Sequence, residues 1–198
     1  MKPPVVIFDY DPMWPILFRD EMARILAVIR RHVVGLEHIG STAVTGLAAK
    51  ATIDLLVGVR QLDDGRECIA PLAGIGYEYV PEYEREIPDR RYFHKGPPVM
   101  RTFHLHMVEH GGDFWRRHLR FRDHLRTHPA AAREYERLKR ELAATHGADR
   151  EGYTDGKAAF VAAILAKASD ASPASRRNSG RASRPRAGPP TRGARARP

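Results

Sequence analysis

Hydrophobic and polar positions alternate with two different periods along this chain, and the two periods predict different elements. After Asp11-Pro12, a pair typical of a helix start, large apolar residues recur at helical spacing. These residues are Trp14, Leu17, Phe18, Met22, Ile25, Leu26 and Ile29. Short apolar runs bounded by turn residues, at 34–39 and 52–59, instead predict strands.

The same patterns predict the elements of the middle and the end of the chain. A helix is predicted from 62 to about 72, and it ends at the Gly74-Ile75-Gly76 turn. Further strands are predicted at 77–80, 91–94 and 102–108, and further helices at about 113–126, 130–145 and 155–168. Because strands dominate the first two thirds, we expect an α+β (α/β-like) fold, with a mixed sheet, packed helices and a C-terminal helical segment.

Composition adds a division into two parts. With 198 residues, 42% of them hydrophobic, the chain is long enough for one core, which we place in a single domain at 1–168. The segment 169–198 holds eight arginines, no lysine and one acidic residue, so it carries +7 of the net charge of +9. The rest has 25 basic and 23 acidic side chains, a balance of +2. The high isoelectric point therefore does not mark the whole protein as nucleic-acid-binding.

The segment 169–198 is predicted to be disordered. It is rich in Arg, Pro, Ser, Ala and Gly and has no large apolar residue, so burial cannot offset the entropy of ordering. Its arginines predict weak, salt-sensitive and non-specific contact with nucleic acid, because it has no aromatic residue for base stacking. The alternative is a passive extension that keeps the protein soluble.

Other features exclude several classes of protein. Cys68 is the single cysteine, so an internal disulfide and a cysteine-based zinc cluster are excluded, and we expect it to be a small core residue in a helix. The N-terminus lacks the pattern of a signal peptide, and no apolar run approaches the ~20 residues of a membrane span. We expect a soluble cytoplasmic protein without a membrane partner.

The first candidate site follows the first predicted strand. Gly40 allows the backbone to approach a phosphate closely, and Ser41 adds a hydroxyl beside the freed amides. Asp54 opens the next strand, where a carboxylate can hold a divalent metal that bridges the same phosphate. Gly40 and Ser41 are therefore candidates for phosphate binding, and Asp54 is a candidate catalytic and metal-binding residue.

Two histidines on a later predicted strand extend this site. His104 and His106 lie two residues apart, so their side chains share a face. With Asp54 they would form a site for a divalent metal with one carboxylate and two imidazoles, which favours zinc or a transition metal over magnesium. One histidine would complete this site or act as a base. Alternatively, both are hydrogen-bonded inside a polar pocket. We expect Ser41, Asp54, His104 and His106 to line one pocket.

Basic side chains are candidates for binding an anionic substrate. Arg122 and Arg126 lie four apart on a predicted helix, so they project together. Asp123 does not share their face closely, so we do not expect it to neutralise them. The alternative is a solvated helix face.

Further candidates flank the other predicted strands and helices. Lys50 precedes the strand of Asp54 and is a candidate phosphate ligand or a solvated loop lysine. Lys157 lies four residues after Tyr153, and this pair is predicted to close over the ligand or to serve capping and packing. Glu37 and His38 point to opposite sides of their strand, so one should face the pocket as a general base unless both make structural hydrogen bonds.

Several short motifs in a fixed order resemble the GrpB family, also called UPF0157, of the nucleotidyltransferase superfamily. The resemblance spans roughly residues 5–168. The motifs are Tyr10-Asp11-Pro12-Met13-Trp14-Pro15, Glu37-His38-Ile39-Gly40-Ser41-Thr42-Ala43-Val44, Gly46-Leu47-Ala48-Ala49-Lys50, Ile53-Asp54, His104-Leu105-His106, Phe121-Arg122-Asp123-His124-Leu125-Arg126, Tyr135 with Leu138-Lys139, and Tyr153-Thr154 with Gly156-Lys157. Thr45 and Ala51 stand where the family usually has proline, so the loop between them is less restricted.

The resemblance implies a nucleotidyltransferase fold, and it allows the candidate residues to be compared with the acidic motif of active superfamily members. Active members of that superfamily show Gly-Ser or Gly-Gly, then Asp-x-Asp, then a third carboxylate, because two divalent cations need anionic ligands. Asp54 fills the first acidic place, but Leu56 stands at the second and cannot bind a metal. Related domains fused behind dephospho-CoA kinases point to nucleotide or coenzyme A metabolism.

Three functions are consistent with these residues. The first is a transferase that moves a nucleotidyl or phosphoryl-containing group to a small molecule, and the second is a non-catalytic module that binds a nucleotide or phosphometabolite. The third is a structural protein with a vestigial pocket. Leu56 favours the second over the first, and the density of polar groups disfavours the third, because burying them without partners is costly.

Overall fold

A computed structural model describes residues 4–97 and 101–170 of the chain. Its α-helices are α1 Trp14–Ile29, α2 Ile69–Gly74, α3 Asp113–Thr127, α4 Pro129–His146, α5 Arg150–Asp155 and α6 Ala158–Asp170. Its strands are β1 Val33–Ile39, β2 Ile53–Val59, β3 Tyr77–Tyr79, β4 Arg90–Lys95 and β5 Phe103–Glu109. Short 3-10 segments lie at Arg30–His32, Ser41–Ala43, Leu62–Cys68 and Pro81–Glu84. The predicted α+β fold is confirmed.

The strands form one mixed sheet in the order β1-β2-β5-β4-β3. β2 and β5 run parallel, and the other neighbouring strands run antiparallel. The parallel register sets Asp54 beside His104 and Leu56 beside His106. On the other side of β5, Tyr92 of β4 lies opposite His106. This pairing brings polar residues from three strands together.

The sheet has two different faces because successive side chains alternate across each strand. One face carries Leu55, Leu105 and Phe93 and forms the main core with α1 and α2, through residues such as Ile25 and Leu72. The opposite face is apolar at one end, where Ile39, Leu56, Val108 and Trp115 cluster. Towards the start of β2 and β5 the same face carries Asp54, His104 and His106, so the polar site lies beside an apolar core.

Two predicted helices differ from the observed ones. Residues 62–68 form a 3-10 segment before the short α2, because Gly65 lies so close to Met107 that a Cβ there would be 2.6 Å from Sδ, and Pro71 has no amide hydrogen to donate. The predicted helix 155–168 is split into α5 and α6, and a Cβ on Gly156 would clash with Leu142 of α4. The first helix begins at Trp14, and Asp11 Oδ1 accepts the Met13 amide at 2.8 Å. Cys68 is buried as predicted, although in the 3-10 segment.

The end of the described chain lies close to the predicted domain boundary. α6 continues to Asp170, two residues beyond the boundary predicted at 168. The remaining residues of the segment predicted to be disordered, 171–198, lie outside the described residues. Within 4–97 and 101–170, no helix is long and apolar enough to cross a membrane.

Candidate functional site

A cavity of about 580 Å³ lies between the polar end of the sheet and the helices that cover it. Its walls come from the turn at 40–42, from β2, β4 and β5, from α3 and α4, and from the α5–α6 region. Ser41, Asp54, His104 and His106 all line it, as the strand positions predict. The structure therefore brings the candidate residues of three separate segments to one place.

Asp54 is the centre of this site. His104 Nδ1 lies 3.1 Å from Asp54 Oδ1, and His106 Nε2 lies 3.9 Å from the same oxygen. Burial alone would raise the pKa of Asp54, but the two imidazoles outweigh it and hold the pKa well below its usual range. Asp54 is therefore an ionised carboxylate at every physiological pH.

The partners of the two imidazoles determine their tautomers. An ionised carboxylate only accepts, so His104 Nδ1 carries a hydrogen, and in the neutral imidazole Nε2 is then an acceptor. For His106, Nδ1 lies 3.4 Å from Nη1 of Arg90, and a guanidinium only donates. His106 Nδ1 is then the acceptor and its Nε2–H faces Asp54. His106 is used at both nitrogens, whereas His104 keeps Nε2 for another partner.

Gly40 determines how closely the turn approaches Asp54. Its backbone φ of +73° is one that residues other than glycine rarely adopt. A Cβ placed on Gly40 would also clash with Asp54 Oδ2. The glycine therefore has a defined task, which is to let the backbone before Ser41 lie against the carboxylate.

Basic residues dominate the charge of the cavity wall. The sequence prediction that Lys50 and Lys157 belong to the site agrees with their position, since both line the cavity. The lining also includes Arg90, Arg117 and Lys139. Burial lowers the pKa of Lys139 to about 7 and that of Lys157 to about 8.

Arg122 and Arg126 do not belong to this wall, and the expectation that they project together as an anion clamp is not supported by their contacts. Arg122 is buried and donates to Glu37 Oε2 at 2.6 Å and to Asp123 Oδ1 at 2.8 Å. Arg126 donates to the Ala43 carbonyl at 2.9 Å. The prediction that Asp123 does not neutralise the arginines is wrong, because both arginine side chains are long enough to reach its carboxylate, Arg122 at 2.8 Å and Arg126 at 3.5 Å.

Neither Glu37 nor His38 reaches the cavity. Glu37 pairs with Arg122. His38 lies on the opposite face of the sheet, where its ring stacks on Phe18 with centroids 4.6 Å apart and Nε2 lies 3.0 Å from Thr42 Oγ1. Burial lowers the pKa of His38 to about 4, so it is a neutral, structural histidine. Of the two alternatives, these contacts support structural hydrogen bonding, and the expectation that one of the two residues faces the pocket is wrong.

Several cavity residues were missed by the sequence reasoning. His118 lines the cavity, although its sequence context suggests a surface or structural residue. Its Nδ1 donates to the Phe114 carbonyl at 2.8 Å and its ring stacks on Phe114, so it is packed as well as exposed to the cavity. Lys139 could have been found from the sequence. It lies four residues after Tyr135 on the apolar face of α4, where a lysine is unusual.

The arrangement does not fit a divalent cation well. Among the described residues, no group of three His, Cys, Asp or Glu side chains is arranged to hold a metal. The one carboxylate is bonded to imidazoles, and the remaining acceptor of His106 faces the positive charge of Arg90. Leu56, at the place of a second acidic ligand, is fully buried among Ile39, Val108 and Trp115. The metal site of Asp54, His104 and His106 stays a prediction that the surrounding charges disfavour.

Comparisons with known proteins agree on one family. The family model described as GrpB protein matches residues 4–167. UPF0157 protein YqkA of Bacillus subtilis is 39% identical over 160 residues, which cover 81% of this chain and 46% of the relative. A UPF0157 protein of Pseudomonas aeruginosa is 40% identical over 169 residues, which cover 83% of this chain and 67% of the relative. The chain thus spans about half the length of the first relative and two thirds of the second.

A solved structure and a more distant relative complete the comparisons. The crystal structure of conserved protein GrpB from Enterococcus faecalis matches with a TM-score of 0.75 at 36% identity, covering 82% of this chain and 96% of that chain. A dephospho-CoA kinase of Mycolicibacterium paratuberculosis is 26% identical over 174 residues, which cover 77% of this chain and 43% of the kinase.

Proposed function

The chain belongs to the GrpB family, and from this premise and the cavity we propose that it binds a small phosphorylated molecule, a nucleotide or a phosphometabolite. The observation that carries the proposal is the charge of the cavity wall. Within the described residues, the wall has one carboxylate, Asp54, and a larger set of cations. The cations are Lys50, Arg90, Arg117, Lys139 and Lys157.

A phosphorylated ligand would relieve this imbalance. Like charges that share a buried site repel each other, and each loses hydration. Phosphate oxygens accept charge-assisted hydrogen bonds from ammonium and guanidinium groups, which are stronger than neutral ones. Gly40 and Ser41 offer a close backbone approach and a hydroxyl on the same wall.

Calorimetric titration of the full chain tests this proposal. The ligand series contains ATP, other nucleoside triphosphates, dephospho-coenzyme A and its precursors, each with and without magnesium, manganese and zinc. We expect saturable binding of at least one phosphorylated ligand, weakened about tenfold or more in Lys139→Met because a charged hydrogen bond contributes about 1.5–3 kcal/mol. Lys167→Met, an exposed change on α6, is the matched control. No binding across the series would refute the proposal.

Transfer of a phosphorus-containing group is the second candidate function. It is favoured by the Asp54–His104 pair, in which an ionised carboxylate orients an imidazole whose Nε2 is left as an acceptor. Such an atom can take a proton from an attacking hydroxyl, while Asp54 stabilises the resulting imidazolium. The broken Asp-x-Asp pair, with buried Leu56, keeps this candidate behind simple binding.

Two measurements separate transfer from binding. Long-range ¹H–¹⁵N correlation of the imidazoles should show hydrogen on Nδ1 of His104 and on Nε2 of His106, with His104→Gln and His106→Gln giving the assignments. Turnover of any ligand from the titration series should be abolished by Asp54→Asn while the fold is retained. If Asp54→Asn leaves ligand binding and turnover unchanged, Asp54 is removed from the proposal.

The similarity to a dephospho-CoA kinase is the reason for including dephospho-coenzyme A and its precursors in the ligand series. The matched part is less than half of the kinase, so the similarity supports the choice of probes. A cytoplasmic location and non-specific nucleic-acid contact by 169–198 stay predictions. The latter is tested by comparing DNA binding of the full chain and of a chain ending at Asp170 at low and high salt.

A further inference from the structure

Three lysines from separate elements face the same cavity. Lys50 precedes β2, Lys139 lies on α4 and Lys157 lies between α5 and α6. We propose that these three ammonium groups bind a terminal phosphate, a monoester with two negative charges, in preference to a phosphodiester, and that binding takes up protons. This inference rests on the proposed function and narrows it to one class of phosphorylated ligand.

Aromatic rings hold the three ammonium groups in place. Lys50 Nζ lies 5.4 Å and Lys157 Nζ lies 4.4 Å from the centroid of the Tyr153 ring. Lys139 Nζ lies 4.9 Å from the centroid of Tyr135. An aromatic face attracts a cation without neutralising it. The rings therefore do not neutralise the positive charges, and the hydrogen bond from Lys139 to the Ala48 carbonyl uses one of its three hydrogens.

Carboxylates do not neutralise these lysines. In the part of the chain that the structure describes, the lysine in an ion pair is Lys95, 2.7 Å from Glu21. Asp54 is the carboxylate that raises the pKa of Lys50 and Lys157, but it is hydrogen-bonded to an imidazole. Glu136, beside Lys139, is paired with Arg140 at 3.0 Å. Among the described residues, no carboxylate in an ion pair with these three lysines therefore competes with a ligand for them.

A terminal phosphate matches three donors better than a diester does. A monoester has three free oxygens, so each ammonium group can donate to a different one, and it carries nearly two negative charges at neutral pH. A diester has two free oxygens and one charge. The third lysine would then stay buried without a counter-charge, which is costly.

Proton uptake follows from the state of the free cavity. Burial, together with repulsion from Lys50 and Lys157, lowers the pKa of Lys139 to about 7; burial and Lys50 lower that of Lys157 to about 8, and burial lowers that of Lys50. A bound dianion favours the charged lysines and raises each pKa. Protons therefore enter on binding, and affinity falls as the pH rises through the pKa values of the free protein.

Other titratable groups face or flank the three lysines. The cavity also contains Asp54, Arg90, His104, His106, Arg117 and His118. Glu136, Arg140 and Arg150 lie beside the lysines on α4 and α5. Burial raises the pKa of Tyr153 to about 12 and lowers that of His118 to about 4. The test range of about pH 7.5 to 9 lies above the usual range of imidazoles and carboxylates and includes the pKa of about 8 of Lys157.

The test compares AMP, a monoester, with cyclic 3′,5′-AMP, a diester of the same nucleoside, with inorganic phosphate as the base-free arm. Calorimetry on the full chain is run at about pH 7.5 and 9, in two buffers of different ionisation enthalpy. We expect the monoester to bind at least about tenfold more tightly than the diester, with buffer-dependent heat that shows proton uptake. Its affinity should fall about fivefold or more at the higher pH.

Variants assign the effect to the lysines. Lys157→Met and Lys50→Met should each lower the affinity for AMP about tenfold and reduce the proton uptake, whereas Lys167→Met should do neither. Equal affinity for the two nucleotides, or tight AMP binding without buffer-dependent heat, overturns this inference and leaves the proposed function standing. No binding of AMP, cyclic AMP, inorganic phosphate or any ligand of the earlier series overturns both. The comparison within the unmodified chain decides the matter even if a variant does not fold.

Discussion

Asp54 shows how a single side chain acquires its properties from its neighbours. As a lone buried carboxylate it would have a raised pKa, yet two imidazoles on the adjacent parallel strand lower it. The same contact gives His104 and His106 different tasks, because His106 also receives a guanidinium from Arg90. Residue type alone makes the two histidines equivalent, and their second partners distinguish them.

Gly40→Ala is predicted to disturb Asp54 directly. The positive φ costs about 1–2 kcal/mol for alanine, and the clash of the new methyl group with Asp54 Oδ2 adds about 1–3 kcal/mol. Urea unfolding should show both losses, and the His104 imidazole signals should shift.

Gly46→Ala is the matched control for this change. Gly46 has a similar φ of +79°, but a Cβ there meets nothing within 4 Å. Gly46→Ala should lower the free energy of unfolding only by the cost of the positive φ. The His104 imidazole signals should not shift. Equal effects of the two substitutions would show that contact with Asp54 is not what requires Gly40.

Among the elements, α3 links the apolar end of the sheet to the cavity. Its Arg122 is 8% exposed and contacts Glu37 and the His38 carbonyl of β1, so it fixes the helix against the first strand. The neighbouring turns of α3 supply His118 and Phe121 to the cavity wall. The arginine therefore positions a wall of the site without touching its interior.

Arg122→Met is predicted to weaken the fold more than an exposed arginine change does. It removes charged hydrogen bonds from a buried position, and Glu37 and Asp123 keep partial access to water, so we expect a loss of about 2 kcal/mol in the free energy of unfolding. Arg137→Met breaks the salt bridge to Glu141, whose side chains are 72% and 64% exposed. It should lower the free energy of unfolding by about 0.5 kcal/mol or less. Similar losses in urea unfolding would contradict the structural role of Arg122.

The whole molecule should lose stability in mild acid. The pKa of His38 falls from its usual 6.5 to about 4 in the folded protein, so the unfolded chain binds a proton first as the pH falls. Stability is therefore complete above about pH 6.5 and declines by about 1.4 kcal/mol per pH unit down to about pH 4 for this group. His118, with its pKa lowered to about 4, acts in the same direction.

Urea unfolding at about pH 7, 5.5 and 4.5 measures this decline. His38→Gln keeps a donor near Thr42 but does not titrate, so its stability should depend less steeply on pH by about 1.4 kcal/mol per unit. An unchanged slope in this variant would mean that His38 is not a buried neutral group.

Removal of 171–198 is predicted to leave the folded domain intact. The segment has no large apolar residue, so a chain that ends at Asp170 should melt within about 2 °C of the full chain. Differential scanning calorimetry of the two chains tests this, and a much larger drop would show that the segment packs against the domain.

Local patterns in the sequence were sufficient for most of the elements and for the shared face of His104 and His106. Alternation along β2 and β5 specifies which side chains share a face, and a parallel pairing of these strands brings Asp54 beside His104. The limits of the local patterns appear at 62–68 and at the α5–α6 turn. There, Gly65 lies against Met107 and Gly156 against Leu142 with no room for a Cβ, and local periodicity does not reveal this packing.

The electrostatic character of the site depends on packing between distant segments. The spacing on α3 predicts that Arg122 and Arg126 project together. Because α3 packs against β1, Arg122 instead forms a salt bridge with Glu37. Lys139 lines the cavity because α4 packs beside the loop before β2. Its ammonium group donates to the carbonyl of Ala48, 91 residues away in the sequence. Period and propensity act over a few residues, so the sequence specifies which face a side chain occupies. Ion pairing and desolvation depend on distances through space, so only the folded chain specifies which charges are neutralised and which remain for a ligand.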